Sequence, residues 1–377
     1  MTQKYRSIHN LTHFDGMESL TSAECPQNHN KNLMKGAPSG LLLKTNMSNP
    51  LTDLLNERDY LLADGATGTN MMAMGLPAGQ AADLWNLHSP EKVTDLHKAF
   101  LKAGADIILT NTFSSNQFRL SLDHAEHLTT DINAAAARLA RSASQSAGHP
   151  VIVAGSMGPT GELMEPHGTL SHDSAVKAFT EQANALAEGG VDVLWIETIF
   201  AFDELLAAVT AAASTGLPVA STMTFDTAGR TMMGKTPEQA SEFMRSSLPP
   251  LIAYGANCGA GPSTLVDTIS RFSRCAAEDD IIIAKGNCGI PQSIDGKIVY
   301  SGDDETMWRY ARLARDCGAR IIGGCCGTTP ARLKTIATAL HGYTPGESPD
   351  IKTIEASLGP IQKSKKRSKR PNARTST

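Results

Sequence analysis

Nothing in the 377-residue chain approaches the run of ~20 apolar side chains that a membrane-spanning helix needs. The first 46 residues, "MTQKYRSIHNLTHFDG…", are polar and carry only a short "LLL", so the apolar region of a secretory leader is missing as well. A cytoplasmic protein without membrane contact is expected. No Cys-x-x-Cys pair occurs, which removes the usual spacing of thioredoxin-type redox sites and structural zinc knuckles. No GxGxxG follows the first apolar run, which argues against a dinucleotide fold. Positive charge is also short through most of the length. Seven basic residues lie in the last fifteen positions, and removing them from the formal net charge of −4 leaves the other residues at −11. An acidic body of this kind is not that of a nucleic-acid enzyme.

The ends read as extensions. Residues 1–46 are expected to be a disordered arm, and 343–377 a disordered tail that is basic from 363, "KSKKRSKRPNARTST". Met47 is a second candidate start, and the folded unit is expected over 47–342, opening with Asn49 as a helix cap and Pro50 at the first helical position.

Between 60 and 342 the chain has a regular beat. Short β-type apolar runs recur as "YLLADGATGT" from 60, "DIILTNTF" from 106, "PVIVAGSMG" from 150 and "DVLWIET" from 192. They continue as "PVASTMTF" from 218, "LIAYGANCG" from 251, "IIIAKGNCG" from 281 and "RIIGGCCGT" from 320. Helix-like segments with Ser at the cap and Gly at the exit lie between them, for example "SPEKVTDLHKAFLKAGA" and "SHDSAVKAFTEQANALAEGG". Eight such strands alternating with helices predict an α/β fold, a (β/α)8 TIM barrel, with an open doubly wound sheet as the alternative.

In such a barrel the chemistry sits where strands end and loops begin. Those ends carry Asp64, Gly65, Ala66 and Thr67, then Asn111, Glu197, Asn257 with Cys258, and finally the adjacent pair Cys325 and Cys326. Seven cysteines, an odd number without a leader, read as reduced thiols available as ligands. Strands six and eight are near neighbours around the circle, so Cys258 is expected to converge with the 325/326 pair. Three thiolates around one point suggest zinc with one position open. Glycines flanking the pair allow the turn that aims both sulfurs at one metal.

These motifs together, "DGATGT", "TNTF", "GxxGPTG" over 155–161, a Glu after the fourth strand, "NCG" and "GGCCGT", resemble the homocysteine S-methyltransferase domain, in the family's order from about Leu54 to His341. The resemblance implies one zinc ion per chain on Cys258, Cys325 and Cys326. It also implies that Asp64, Gly65, Ala66 and Glu197 hold the amino-acid end of homocysteine, with Thr67, Asn111 and Asn257 in the same substrate shell. Methyl transfer to homocysteine, giving methionine, is the expected reaction. Betaine or a related quaternary ammonium or sulfonium compound is the expected donor, and S-methylmethionine or a separate corrinoid protein the alternative. Trp85, Met164, Glu165 and His167 are candidates for the donor pocket. The betaine-using branch in animals has Tyr directly after the fourth-strand Glu, where this chain has Thr198.

Other classes stay open at this level. Lys285, on the seventh strand, could be a Schiff-base lysine of a lyase, and the metal could be a structural clip in a non-catalytic binding protein. Cys288, in the second "NCG", reads as packing rather than as a fourth ligand.

Overall fold

The computed structural model describes residues 49–361 apart from Ala78, Leu248, Asp295 and Gly296. The expected arm at 1–46 and the basic run from 363 lie outside the described residues. Ten strands are present among the described residues: β1 (Leu61–Leu62), β2 (Ile107–Leu109), β3 (Ile152–Met157), β4 (Val193–Ile199), β5 (Val219–Met223), β6 (Ala253–Cys258), β7 (Ile282–Gly286), β8 (Pro291–Ile294), β9 (Lys297–Tyr300) and β10 (Ile321–Gly324). Eight of them form a parallel sheet in the order β1-β10-β7-β6-β5-β4-β3-β2. A parallel bridge between Ala63 and Ile107 joins its two edges. The sheet is therefore a barrel ringed by helices, a (β/α)8 TIM barrel as the alternation of apolar runs predicts.

Local chemistry explains where the helices start and stop. Asn49 accepts from Thr52 N at 3.0 Å, and Pro50 occupies the first position of the helix Pro50–Glu57. Thr236 and Gln239 form a reciprocal capping box on Pro237–Arg245. Pro90–Ala103 ends on Gly104 at φ 108°, a left-handed turn that a side chain would resist. Of the two serines read as caps, Ser171 makes its side-chain bond and Ser89 does not.

Apolar residues on the inner face of the strands, including Leu61, Ile107, Ile152, Trp195 and Ile321, pack with Leu51, Leu54 and Leu55 of the first helix. That helix closes the barrel interior on the side away from the strands' C-terminal ends. A second, larger cluster lies between the strands and the surrounding helices.

Two features depart from the reading of the sequence. The antiparallel hairpin β8–β9 lies in the chain between β7 and β10 as a separate two-stranded sheet, for which the reading of the sequence had no element. Ordered structure also passes 342: the helix Ile351–Leu358, capped by Asp350, buries Ile354 to 1% exposure. The expected disordered tail therefore begins too early, because one buried isoleucine and one cap suffice to seat a short helix.

No helix among the described residues is long and apolar enough to cross a membrane.

His97, on the helix Pro90–Ala103, is buried at 2% exposure and its Nε2 has no partner. Burial pulls its pKa from 6.5 down to about 4. The unfolded chain thus binds a proton in this window that the folded chain refuses. Stability is full above the unfolded value and is lost as pH falls from about 6.5 toward about 4. Urea denaturation should show this group's contribution falling by up to ~3 kcal/mol across the window, and His97→Gln should flatten that slope.

Candidate active site

Three cysteines meet at the C-terminal rim of the barrel. The sulfurs of Cys258, Cys325 and Cys326 all lie within 4.8 Å of one another, with Cys258 and Cys326 4.0 Å apart. Cys258 ends β6 and Cys325 follows β10, and β7 lies between those strands and pairs with both. Convergence requires unusual backbone: Cys258 stands at φ 60°, a left-handed conformation that costs on the order of 1–3 kcal/mol for a residue with a side chain. The turn after β10 is held by Cys325 N donating to Gly286 O at 2.6 Å and Thr328 N donating to Cys325 O at 3.0 Å. Gly327 lies at φ 79°, so the glycine after the cysteine pair has the role the sequence suggested.

The first-strand motif and the cysteine turn are built against each other. Gly324 N donates to Asp64 O at 3.0 Å, Ala66 N to Thr328 O at 3.1 Å, and Gly327 N to Thr69 Oγ1 at 3.2 Å. A Cβ at Gly65 would sit 2.5 Å from Thr328 O and 2.8 Å from the Phe100 ring. Close approach, not a special φ, is what demands glycine there.

Charged groups line the interior beneath the thiols. Lys285 Nζ donates to Asp64 Oδ1 at 3.0 Å, and Asp64 Oδ2 accepts from Leu109 N at 2.8 Å. Both side chains are almost fully buried. Burial alone would pull the Lys285 ammonium down, but the carboxylates of Asp64 and Glu197 outweigh it and hold the group above its ordinary range. A Schiff-base lysine must lose its proton to attack a carbonyl, so this environment counts against the lyase reading. Burial pushes the Glu197 carboxyl up, opposed by Lys285 and by Ser156, whose Oγ donates to Glu197 Oε1 at 2.6 Å.

Asn257 links the strands at this level. Its Oδ1 accepts from Thr198 N at 3.0 Å and from Thr222 Oγ1 at 2.8 Å. Its Nδ2 donates to Thr198 Oγ1 at 2.7 Å and reaches Cys325 Sγ at 3.7 Å. Thr198 is itself left-handed, at φ 65°.

The expected site residues therefore divide. Asp64, Glu197, Asn257 and the three cysteines form one linked cluster, with Gly65, Ala66 and Thr67 on the adjoining loop. Asn111 is buried at the rim scaffold, its Nδ2 donating to Ala82 O at 2.8 Å and to Asn86 Oδ1 at 3.3 Å. Trp85 is 5% exposed, with the Lys92 ammonium 4.3 Å from its ring centre. Met164 and His167 line a small cleft with Glu162, Phe200, Asp203 and Glu204, while Glu165 beside them is exposed. Ser156 and Thr222 carried no sequence signal as site residues. Asn287 did, through the second "NCG", and its Nδ2 donates to Gly259 O while its buried Oδ1 has no partner.

Among the described residues, Cys258, Cys288, Cys317, Cys325 and Cys326 carry free thiols. Contact with Cys258 and burial push the Cys326 thiol up to about 11. Three soft sulfur donors with an unpartnered amide oxygen nearby suit a thiophilic divalent metal that keeps one position for a substrate.

A sequence model of the family described as homocysteine S-methyltransferase matches residues 61–340. Among solved structures, the homocysteine methyltransferase MmuM from Escherichia coli in its metallated form superposes with a TM-score of 0.64 at 22% identity, covering 77% of this chain and 99% of that one. Its oxidized form gives 0.64 at 23% identity with the same coverage. At such identity these two show a shared fold.

Lys285→Met should leave the Asp64 carboxylate buried without its cation. The expected loss, read from urea denaturation, is about 3–5 kcal/mol. Borohydride with a carbonyl compound should not label Lys285 in the native protein, and labelling there would restore the lyase reading.

Proposed function

The chain belongs to the homocysteine S-methyltransferase family, and from that membership we propose that it methylates the thiol of homocysteine, giving methionine, at a zinc ion held by Cys258, Cys325 and Cys326. The observation that carries the reading is the meeting of those three thiols within 4.8 Å, on the rim that also presents Glu197. Zinc, when bound, supplies the positive charge that keeps a thiol deprotonated at neutral pH. Everything else is the work of the chain's own residues.

Glu197 is the partner for the substrate ammonium. Burial pushes its carboxyl up, and an arriving ammonium would favour the ionised form and gain a charge-assisted hydrogen bond. Ser156 fixes the direction of that carboxyl. Asp64 has both oxygens engaged by Lys285 and Leu109 N, so its part is to hold the ammonium of Lys285 and the 65–67 backbone in place. Lys285 in turn offsets the negative charge gathered from Asp64, Glu197 and the cysteines. Asn257 keeps Thr198 and the end of β6 in their left-handed turns, and so keeps Cys258 aimed.

The donor reading rests on the cleft between the loops after β3 and β4. Its walls combine Glu162, Asp203 and Glu204 with Phe200 and Met164, an acidic and partly aromatic lining suited to a small cation. Betaine is the donor proposed, with sulfonium compounds of the same charge as neighbours. Trp85 leaves this set, since Lys92 already covers its ring. In the transfer the homocysteine sulfur forms a bond to the methyl carbon, the C–N bond breaks, and its electron pair leaves with nitrogen. Opposite charges become two neutral centres, a change favoured in a site shielded from water. Positioning of the two reactants can supply about 7–11 kcal/mol of the barrier reduction.

The protein loaded with zinc should convert homocysteine to methionine, read by mass spectrometry, with betaine preferred over S-methylmethionine and over a methylated corrinoid. Methionine formed with none of these sinks the donor assignment or the reaction itself. Cys258→Ala, Cys325→Ala and Cys326→Ala should each lose metal and activity together, whereas Cys288→Ala and Cys317→Ala should keep both.

Glu197→Gln should weaken homocysteine binding by about 1.5–3 kcal/mol with metal content unchanged. Calorimetric titration decides it. Equal affinity in the variant would leave Glu197 as a scaffold residue only.

A further inference from the structure

Both cysteine-bearing turns hang from the end of β7. Cys325 N donates to Gly286 O at 2.6 Å, and Cys288 N donates to Cys326 O at 2.9 Å. Asn287 Nδ2 donates to Gly259 O at 2.8 Å, directly after Cys258. Residues 286–288 therefore set how far apart the sulfurs from β6 and β10 stand, and whatever fixes Gly286 bears on all of them.

Gly286 is fixed by a side chain from outside the barrel. It lies opposite Gly324 in the parallel register of β7 and β10. A ladder in that register would carry a bond from Gly286 N to Gly323 O, next to the one from Cys325 N to Gly286 O. The Tyr310 hydroxyl stands at that point. Gly286 N donates to it at 2.8 Å, and it donates toward Gly323 O and Ala284 O, each at 3.0 Å. Tyr310 belongs to the helix Asp304–Asp316 and is fully buried. Its ring also demands the glycine, since a Cβ at Gly286 would be 2.8 Å from both Cε2 and Cζ of Tyr310. Nothing in the reaction derived above uses this group.

We propose that Tyr310 is a positioning residue of the three-cysteine centre. Its hydroxyl, set into the β7–β10 ladder, fixes the separation of the two strand ends and so the place of Cys325 and Cys326 relative to Cys258. The inference rests on the reading of that cluster as a metal centre. A hydroxyl bridging N–H and C=O is a spacer, and this one lies directly before the cysteine turn. Zinc–sulfur bonds of about 2.3 Å tolerate deviations of only about 0.2 Å, so ligation depends on that spacing. With Phe at the position the ring still fills its place, but Gly286 N and Gly323 O lose the oxygen between them. The strand ends then either close onto each other or loosen, and both displace Cys325.

The test compares wild type, Tyr310→Phe and Tyr254→Phe. Tyr254 is the control: it is buried at the start of β6, away from the thiols, and its hydroxyl donates to Asp280 Oδ2 at 2.7 Å. In a chelator competition Tyr310→Phe should bind zinc about 10- to 100-fold more weakly, as loss of a group that orients metal ligands does. Its Co(II) form should show shifted ligand-field bands. In the metal-free protein, dibromobimane, which bridges neighbouring thiols, should link Cys258 to the 325/326 pair several-fold less, as mapped by peptide mass spectrometry. Tyr254→Phe should match wild type in all three readouts, even where it melts at a lower temperature. Gly286→Ala, which keeps the phenol but drives its ring out of place, should give the same losses as Tyr310→Phe and replaces it if that variant does not fold. Zinc affinity, cobalt spectrum and bridging equal to wild type would overturn the proposal. Equal losses in Tyr254→Phe would overturn it too, because they would then follow from lowered stability alone. If wild type takes up neither metal, the metal reading itself fails. Bridging in the metal-free proteins then decides Tyr310 alone, a drop confined to Tyr310→Phe supporting the spacer and no drop removing it.

Discussion

Three sulfurs carried on two strands must come within 4.8 Å of one another, and the architecture of the rim follows from that requirement. Strands in a parallel sheet are about 4.8 Å apart, so side chains two strands away do not meet unless the chain bends beyond the strand ends. The bend after β6 is made by Cys258 itself, at φ 60°, followed by Gly259 at φ 75°. The bend after β10 places Cys325 and Cys326 before Gly327. Strained backbone persists only where its surroundings over-determine it. Here Asn257 supplies part of that surrounding, with its amide bonded to Thr198, Thr222 and the edge of Cys325.

The same requirement sets the electrostatics. The proposed metal-ligating sulfurs and the carboxylate proposed to bind an ammonium bring negative charge into a buried space, where an unpaired charge is costly. Lys285 is the group that answers it, lying between Asp64, Glu197 and the Trp195 ring and buried almost completely. A lysine placed this way is a fixed counter-charge. Attack on a carbonyl would require Lys285 to give up a proton that the carboxylates of Asp64 and Glu197 hold in place, so position and charge state speak for a scaffold role.

The loops divide their duties along the rim. Those after β1 and β10 interlock through backbone hydrogen bonds and the close approach at Gly65, which ties the proposed substrate end together. The cleft formed after β3 and β4 is more open and acidic, and its proposed donor role depends on charge and shape more than on fixed hydrogen bonds. Thr160, in the loop after β3, anchors one side of that cleft by donating both N–H and O–H to Glu204.

Much of this was legible in the residues alone. Short apolar runs alternating with capped helical segments are local signals, and they placed all eight barrel strands. "NCG" and "GGCCGT" revealed the cysteines because glycine beside a functional side chain marks a constrained turn, a property written in neighbouring positions. What the sequence could not convey were relations between distant positions. Lys285 stood in the sequence as a possible nucleophile, and only its 3.0 Å contact with Asp64, 221 residues away, made it a buried counter-ion. Trp85 stood in the sequence as a donor-pocket candidate, and the fold places the Lys92 ammonium over its ring. The hairpin β8–β9 carried no periodic signature, since four-residue strands are too short to show one. Chain-local patterns determine which elements form and where they turn. Which side chains meet is decided by barrel closure, because that step alone brings strands from opposite ends of the chain to a common rim.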